Sequence, residues 1–236
     1  PAEIMNIGGD DFVTLGNHDF NYGKEELEKY ISALDARCLC ANIAGIRGVE
    51  KTAIVTLQNG LRVGLAGVTT HYVKLWEKPE NLAGIAVTDA FTAAKEAYDQ
   101  LKAKADITVC IYHGGFERDV KTGKVLSDTD ENQGWRICEE LGFDILLAGH
   151  QHTAAENVRI NGTYTCQPPD KARQYIKMDV IVDGQITAEQ HLMDAGNVTQ
   201  AKARALLLPA EKQAAAWFDT PMGHLDTPLL PSRHID

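Results

Sequence analysis

No apolar run in this chain approaches the ~18 residues that a membrane-spanning helix needs, so a membrane span is excluded. Basic runs and basic faces are missing too. There are 23 Lys and Arg against 33 Asp and Glu, a formal net charge of -10. That balance argues against binding duplex nucleic acid through its backbone charge. A phosphate held by so acidic a chain needs another source of positive charge, and a metal ion is the usual one. No cysteine pair has C-x2-C spacing, which speaks against a thiolate zinc site. The five cysteines (Cys38, Cys40, Cys110, Cys138, Cys166) are odd in number and lie mostly within apolar runs. They read as buried free thiols rather than a disulfide framework. There is no internal repeat and no low-complexity segment. What remains is ordinary globular composition, 44% hydrophobic and 24% charged over 236 residues, enough for one or two domains that need no staples.

The chain starts at Pro1, and Ile4-Met5-Asn6 already reads as the end of a helix. This suggests a piece of something longer, so the absence of a signal peptide carries little weight. The free thiols favour the cytoplasm; a periplasmic or cell-surface location stays open.

Periodicity predicts strands over 11–15 and 38–43, a helix over 24–35, and a hairpin of 52–58 with 61–68 around Asn59-Gly60. A polar loop (69–88) leads to an Ala-rich helix over 89–104, capped by Thr88. Buried strands follow at 106–112 and 144–148, separated by a helix over 130–141 that Gly142 stops. Beyond 150 the texture changes to strands at 156–160, 163–167, 174–182 and 185–193, with Asn161-Gly162 and Asp183-Gly184 as hairpin turns. A helix over 199–218, interrupted by Pro209, leads to a Pro-rich tail. The expectation is an α/β fold of two sheets packed face to face with helices outside.

Three predicted strands end in His-containing loops: Gly16-Asn17-His18-Asp19, His113-Gly114-Gly115 and Gly149-His150-Gln151-His152. Sites in α/β sheets form at the carboxyl ends of strands, and the flanking glycines let the backbone approach closely. Three such loops in one chain point to a metal site. His71, His191, His224 and His234 read as bland, and Trp76, Trp135 and Trp217 as packing residues.

Gly-Asn-His-Asp, within Thr14-Leu-Gly-Asn-His-Asp-Phe-Asn-Tyr-Gly23, then His113-Gly-Gly and Gly-His-Gln-His resemble the motifs of the calcineurin-like metallophosphoesterases. The bacterial 5′-nucleotidase / 2′,3′-cyclic-nucleotide 2′-phosphodiesterase family is the most similar branch, over residues 1 to about 225. The resemblance implies a four-layer α-β-β-α sandwich, here N-terminally truncated. It would divide into a partial phosphoesterase domain over 1–196 and a linker helix and tail over 197–236, leading to an absent nucleotide-binding domain. It implies two divalent ions (Mn, Zn, Fe, Co or Mg), with Asn17, His113 and His150 on one and His152 on the other. His18 would act on the phosphoryl group, oriented by Asn21. Asn132 and Arg118 are candidates for substrate contact. The implied activity is hydrolysis of nucleotide phosphoesters, cyclic or monoester; a broad phosphatase, a UDP-sugar hydrolase and a catalytically incompetent fragment are the alternatives.

The sequence departs from the family pattern in two ways. The opening Asp-x-His and the Gly-Asp that supplies a bridging Asp are missing; Gly9-Asp10 lies too close before Asn17 to be that motif and reads, with Asp11, as a solvated turn. A sheet lacking its first strands would expose an edge and tend to self-associate. The position three after His18 is Asn21, where the 5′-nucleotidase branch usually has Asp; this tips the reading towards the cyclic-phosphodiester and 3′-nucleotidase branch.

Overall fold

The computed structural model describes residues 1–183, 185–194 and 200–223. The chain divides into two compact units, Pro1–Asn197 and Val198–Asp236.

The first unit opens with helix α1 (Ala2–Gly8), ended by Gly9 at φ 80°. Strand β1 (Phe12–Val13), a 3-10 turn (Asn17–Phe20) and helix α2 (Gly23–Ser32) follow. Strands β2 (Arg37–Leu39) and β4 (Val49–Glu50) join β1 in a parallel sheet of order β1-β2-β4. Strand β3 (Ile43–Ala44) pairs with β7 (Ala86–Val87).

The larger sheet holds β5 (Thr52–Thr56), β6 (Arg62–Thr69), β8 (Ile107–His113), β9 (Ile145–Ala148), β10 (Ala155–Ile160) and β11 (Thr163–Gln167). Its order is β10-β11-β9-β8-β6-β5. The inner four strands run parallel, with an antiparallel strand at each edge. Helix α4 (Ala90–Leu101) links β6 to β8, and α5 (Gly134–Glu140) links β8 to β9. Between β6 and β7 lies a one-turn helix, α3 (Val73–Trp76).

Strand β8 is an almost unbroken apolar run because both of its faces are covered. Cys110 and Tyr112 pack with Phe91, Ala94 and Leu101 of α4 and with Ile137 and Cys138 of α5. Ile107 and Val109 face the other way, towards Met178, Val182 and Ile186 of the hairpin formed by β12 (Gln174–Val182) and β13 (Ile186–Asp194). Leu15, Phe20, Leu27, Ile31, Cys38 and Cys40 form a second core between α2 and the smaller sheet. All five cysteines are buried and free.

The two sheets meet where β2 passes β6. A methyl group on Gly67 would sit on the Leu39 carbonyl, and the Ala41 amide donates to the Gly67 carbonyl at 2.6 Å. Just beyond, buried Asn42 donates to the carbonyls of Thr69 (2.8 Å) and Thr88 (3.1 Å) and accepts from the Thr69 amide (2.9 Å). It satisfies backbone groups that no ladder reaches.

Several sequence expectations are corrected. The strand expected over 11–15 covers only Phe12–Val13, because Thr14 turns its hydroxyl onto the Leu39 carbonyl (2.8 Å). The strand expected over 38–43 splits into β2 and β3 at the Asn42 crossing. Asp89, not Thr88, caps α4, accepting from the Thr92 amide at 2.8 Å. Helix α5 starts at Gly134, because residues 130–133 bend towards the strand ends. In the second unit, helix α6 (Ala201–Phe218) runs through Pro209 without interruption. Thr199, Gly184, and the tail with His224, Pro228, Pro231 and His234 lie outside the described residues. Among the described residues no helix is long and apolar enough to cross a membrane.

Gly67→Ala should destabilise the chain at the upper end of the about 1–3 kcal/mol typical of overpacking, because backbone rather than a mobile side chain blocks the methyl. A urea midpoint equal to that of the wild type would contradict this contact.

Candidate metal centre

Each of the three loops leaves a strand, and its backbone amides and carbonyls are held by side chains or by other loops. In the first, the Asp19 carboxylate accepts from the Gly16 amide at 2.7 Å and closes the turn; burial pushes its pKa up. In the second, the His113 carbonyl accepts from the Thr70 amide (2.8 Å), and Asn132 Oδ1 accepts from the Gly115 amide (2.7 Å). In the third, the Gly149 amide donates to the Gly114 carbonyl (3.2 Å). The Gln151 amide accepts from Phe116 N (2.8 Å) and donates to Phe116 O (2.9 Å). The second and third loops are thus laced together.

The side chains converge. His113 Nε2 lies 2.9 Å from Asn17 Oδ1. The His113 and His150 rings meet edge to face at 5.3 Å, and Trp76 stacks on His150 at 5.5 Å. His150 Nε2 is 3.0 Å from Glu131 Oε1, and His18 Nδ1 is 3.0 Å from Asn21 Oδ1. Gly16 is required for the approach of its loop, since a Cβ there would be 2.9 Å from His113 Cε1. His150 and His152 take left-handed backbone, at φ 74° and 58°. Such residues cost about 1–3 kcal/mol each and persist where surrounding contacts hold them.

Burial, then the positive fields that His150, His18 and His152 would exert, lower the His113 pKa from 6.5 to about 4. The ring is neutral at neutral pH, the form that ligates a metal.

The donor set fits a divalent ion. An amide oxygen and an imidazole nitrogen 2.9 Å apart are spaced as neighbouring donors on one ion with bonds of about 2.1 Å. With Nε2 of His150 held by Glu131, Nδ1 is left as the donor. A carboxylate behind a ligating imidazole is the usual outer partner. Among the described residues no group of three or more His, Cys, Asp or Glu is placed to hold a metal ion. His152 contributes to the field on His113 without joining such a group.

Other candidates have different places. Asn132 is only 6% exposed and braces the His113 loop from behind. Arg118 lies over the Trp135 ring at 5.8 Å. Asp10 and Asp11 are exposed, as a solvated turn requires. His71, read as a surface residue, is half-buried with Nδ1 3.6 Å from Asp89 Oδ2. Trp76, read as packing, is 47% exposed and lies on His150; Trp217 is likewise exposed. His191 is an exposed strand residue. Sequence reasoning gave no role to Glu131, Gln151, Glu77 or Asn81. Only Glu131 carried a usable signal, an acid directly before Asn132, and it was absorbed into the helix expected there.

Parallel strands that gather imidazoles and an amide oxygen at their carboxyl ends define a donor-lined α/β domain. The calcineurin-like phosphoesterase family matches residues 2–154, and the chain belongs to it. This is a metal-dependent family, so divalent ions are implied. The sequence is 32% identical over 165 residues to the trifunctional nucleotide phosphoesterase protein YfkN of Bacillus subtilis, covering 63% of this chain and 11% of that protein. It is 27% identical over 152 residues to a 2′,3′-cyclic-nucleotide 2′-phosphodiesterase/3′-nucleotidase of Salmonella typhimurium, covering 58% and 23%. The crystal structure of a putative 5′-nucleotidase from Staphylococcus aureus matches with a TM-score of 0.82 at 28% identity, over 92% of this chain and 44% of that one. The chain therefore spans less than a quarter of either curated relative described here.

The depressed His113 pKa fixes a sign. Above pH 6.5 the ring is neutral whether folded or unfolded; between 6.5 and about 4 only the unfolded chain takes up the proton. Stability should therefore fall as pH drops through that window. Urea midpoints in metal-free buffer should show this, with a shallower fall in His113→Asn; equal slopes would place the titration elsewhere.

Proposed function

We propose that this chain is the metal-bearing part of a nucleotide phosphoester hydrolase, acting on 2′,3′-cyclic nucleotides and nucleoside monophosphates. The observation that carries the reading is the meeting of Asn17, His113 and His150 at the strand ends, with His18 exposed beside them. The names of the relatives supply the nucleotide. Asn21 in the motif favours the cyclic-phosphodiester and 3′-nucleotidase branch.

In this reading Asn17, His113 and His150 hold one divalent ion and His152 a second. Neutral oxygen and nitrogen donors suit Mn, Fe, Zn or Co better than Ca. Ions bound there would supply an activated water and a clamp for the phosphoryl group. The chain's own residues do the rest. His18 faces the phosphoryl oxygens or the leaving group and, in its doubly protonated form, donates a hydrogen bond where charge develops. Asn21 sets the angle of that ring. Trp76 covers one face of His150 and keeps water from it.

A second reading has one observation in its favour. Asn17, His113 and His150 are all neutral as ligands, and no cluster of three or more His, Cys, Asp or Glu stands ready among the described residues. A bridging carboxylate is what holds two cations close against their repulsion. The chain by itself would then bind an ion weakly and turn over slowly.

The test is turnover of 2′,3′-cyclic AMP, 3′-AMP and 5′-AMP with Mn²⁺ by the protein that carries this chain. About 1 s⁻¹ or more is expected, and no turnover of any of the three would sink the proposal. In the same protein His18→Ala should lower kcat about 10²–10³-fold with metal content unchanged by elemental analysis. Loss of metal would instead make His18 a ligand.

A further inference from the structure

Asn21 has a second partner beside His18. Its Nδ2 donates to Glu77 Oε2 at 2.7 Å. Glu77 directly follows α3, the turn that also carries Trp76 onto His150. Both Glu77 oxygens are engaged, for Oε1 accepts from Asn81 Nδ2 (2.8 Å) and from the Lys78 amide (2.7 Å). Asn81 Nδ2 also donates to the Asn21 carbonyl at 2.9 Å. The carboxylate is held in one orientation by groups on both sides.

We propose that Glu77 is a positioning residue that determines which nitrogen of His18 carries the proton. A carboxylate has no hydrogen to donate, so the end of the Asn21 side chain facing it must be the NH₂. The other end, Oδ1, then faces His18 and can only accept. His18 Nδ1 must be the donor, and a neutral ring is left with a bare Nε2. Nε2 makes no hydrogen bond among the described residues, so the proton that His18 exchanges with a ligand is exchanged there. The hydrogen bonds to Glu77 hold its pKa below the usual carboxylate range, which keeps it an acceptor at neutral pH. Asn21 passes on the orientation of Glu77 without bringing a charge into contact with the ring.

The idea rests on the reading of His18 as the residue facing the phosphoryl group, but its test needs no turnover. In the metal-free chain, ¹⁵N shifts of labelled histidine side chains at a pH where the rings are neutral report the tautomer directly. The His18 signal is identified by its loss in His18→Gln. The wild type should show one form, protonated at Nδ1. In Glu77→Gln the Lys78 amide and Asn81 keep the amide oxygen on their side, so the NH₂ faces Asn21. Asn21 must turn its Oδ1 to it and its NH₂ to His18, and His18 should switch to the Nε2-protonated form while the His113 and His150 signals stay put. Combining Asn21→Asp with Glu77→Gln exchanges the carboxylate and the amide, and should return the single Nδ1-protonated form. A wild-type ring protonated at Nε2 overturns the proposal whatever the variants do. So does a Glu77→Gln spectrum identical to wild type, or a double variant that stays protonated at Nε2. In the protein that carries the chain, Glu77→Gln should lower kcat with KM unchanged, and the double variant should recover it. If the tautomers behave as stated but no nucleotide is hydrolysed, the proposed function fails and the positioning role stands.

Discussion

The smaller sheet can deliver Asn17 to His113 only because β2 passes β6 with no side chain between them. At Gly67 the space belongs to the Leu39 carbonyl, and the Ala41 amide bonds across the same gap. Asn42 then takes over the backbone groups that the crossing strands leave unpaired. Separate the sheets there and the Gly16–Asp19 loop moves off the end of β8. The 2.9 Å contact between Asn17 and His113 is thus a property of the whole packing. A second glycine, Gly16, makes the last ångströms of the approach feasible.

Around that contact the imidazoles are backed by groups from irregular segments. Glu131 bonds His150 from a bend before α5, and Glu77 reaches His18 through Asn21 from the turn after α3. Both acids sit behind the rings, where they orient nitrogens. The acidic balance of the chain, -10 overall, therefore has local uses beside the site. Tyr112 belongs to the same arrangement: its hydroxyl accepts from the Gln133 amide at 3.0 Å and helps hold the bend from which Glu131 extends.

The strand ends that carry histidine were legible in the sequence because the signals coincide: an apolar run, then imidazole and glycine close together, in either order. The α/β architecture and the grouping of Asn17, His113 and His150 follow from that pattern. The boundaries that failed share a cause. Residues 130–133 have helix-start composition, yet Asn132 and Gln133 are drawn away by Gly115 and Tyr112, contacts made across the fold. Residues 38–43 read as one strand, because nothing local announces that Asn42 bridges two sheets. Glu77 and Asn81 lay in a polar loop without periodicity, and only the folded distances reveal their partners.

The left-handed backbone of His150 and His152 also limits how this loop can change over evolutionary time. Valine, isoleucine and threonine fit such φ values poorly, so they would strain the turn as well as remove an imidazole. Asparagine and glycine enter that region readily. A lineage could therefore lose an imidazole here through asparagine, or the donor altogether through glycine, and keep the loop and the sheet intact, leaving a protein that folds as before with an altered or silent centre. The backbone of the third loop thus makes loss of chemistry without loss of structure an accessible route.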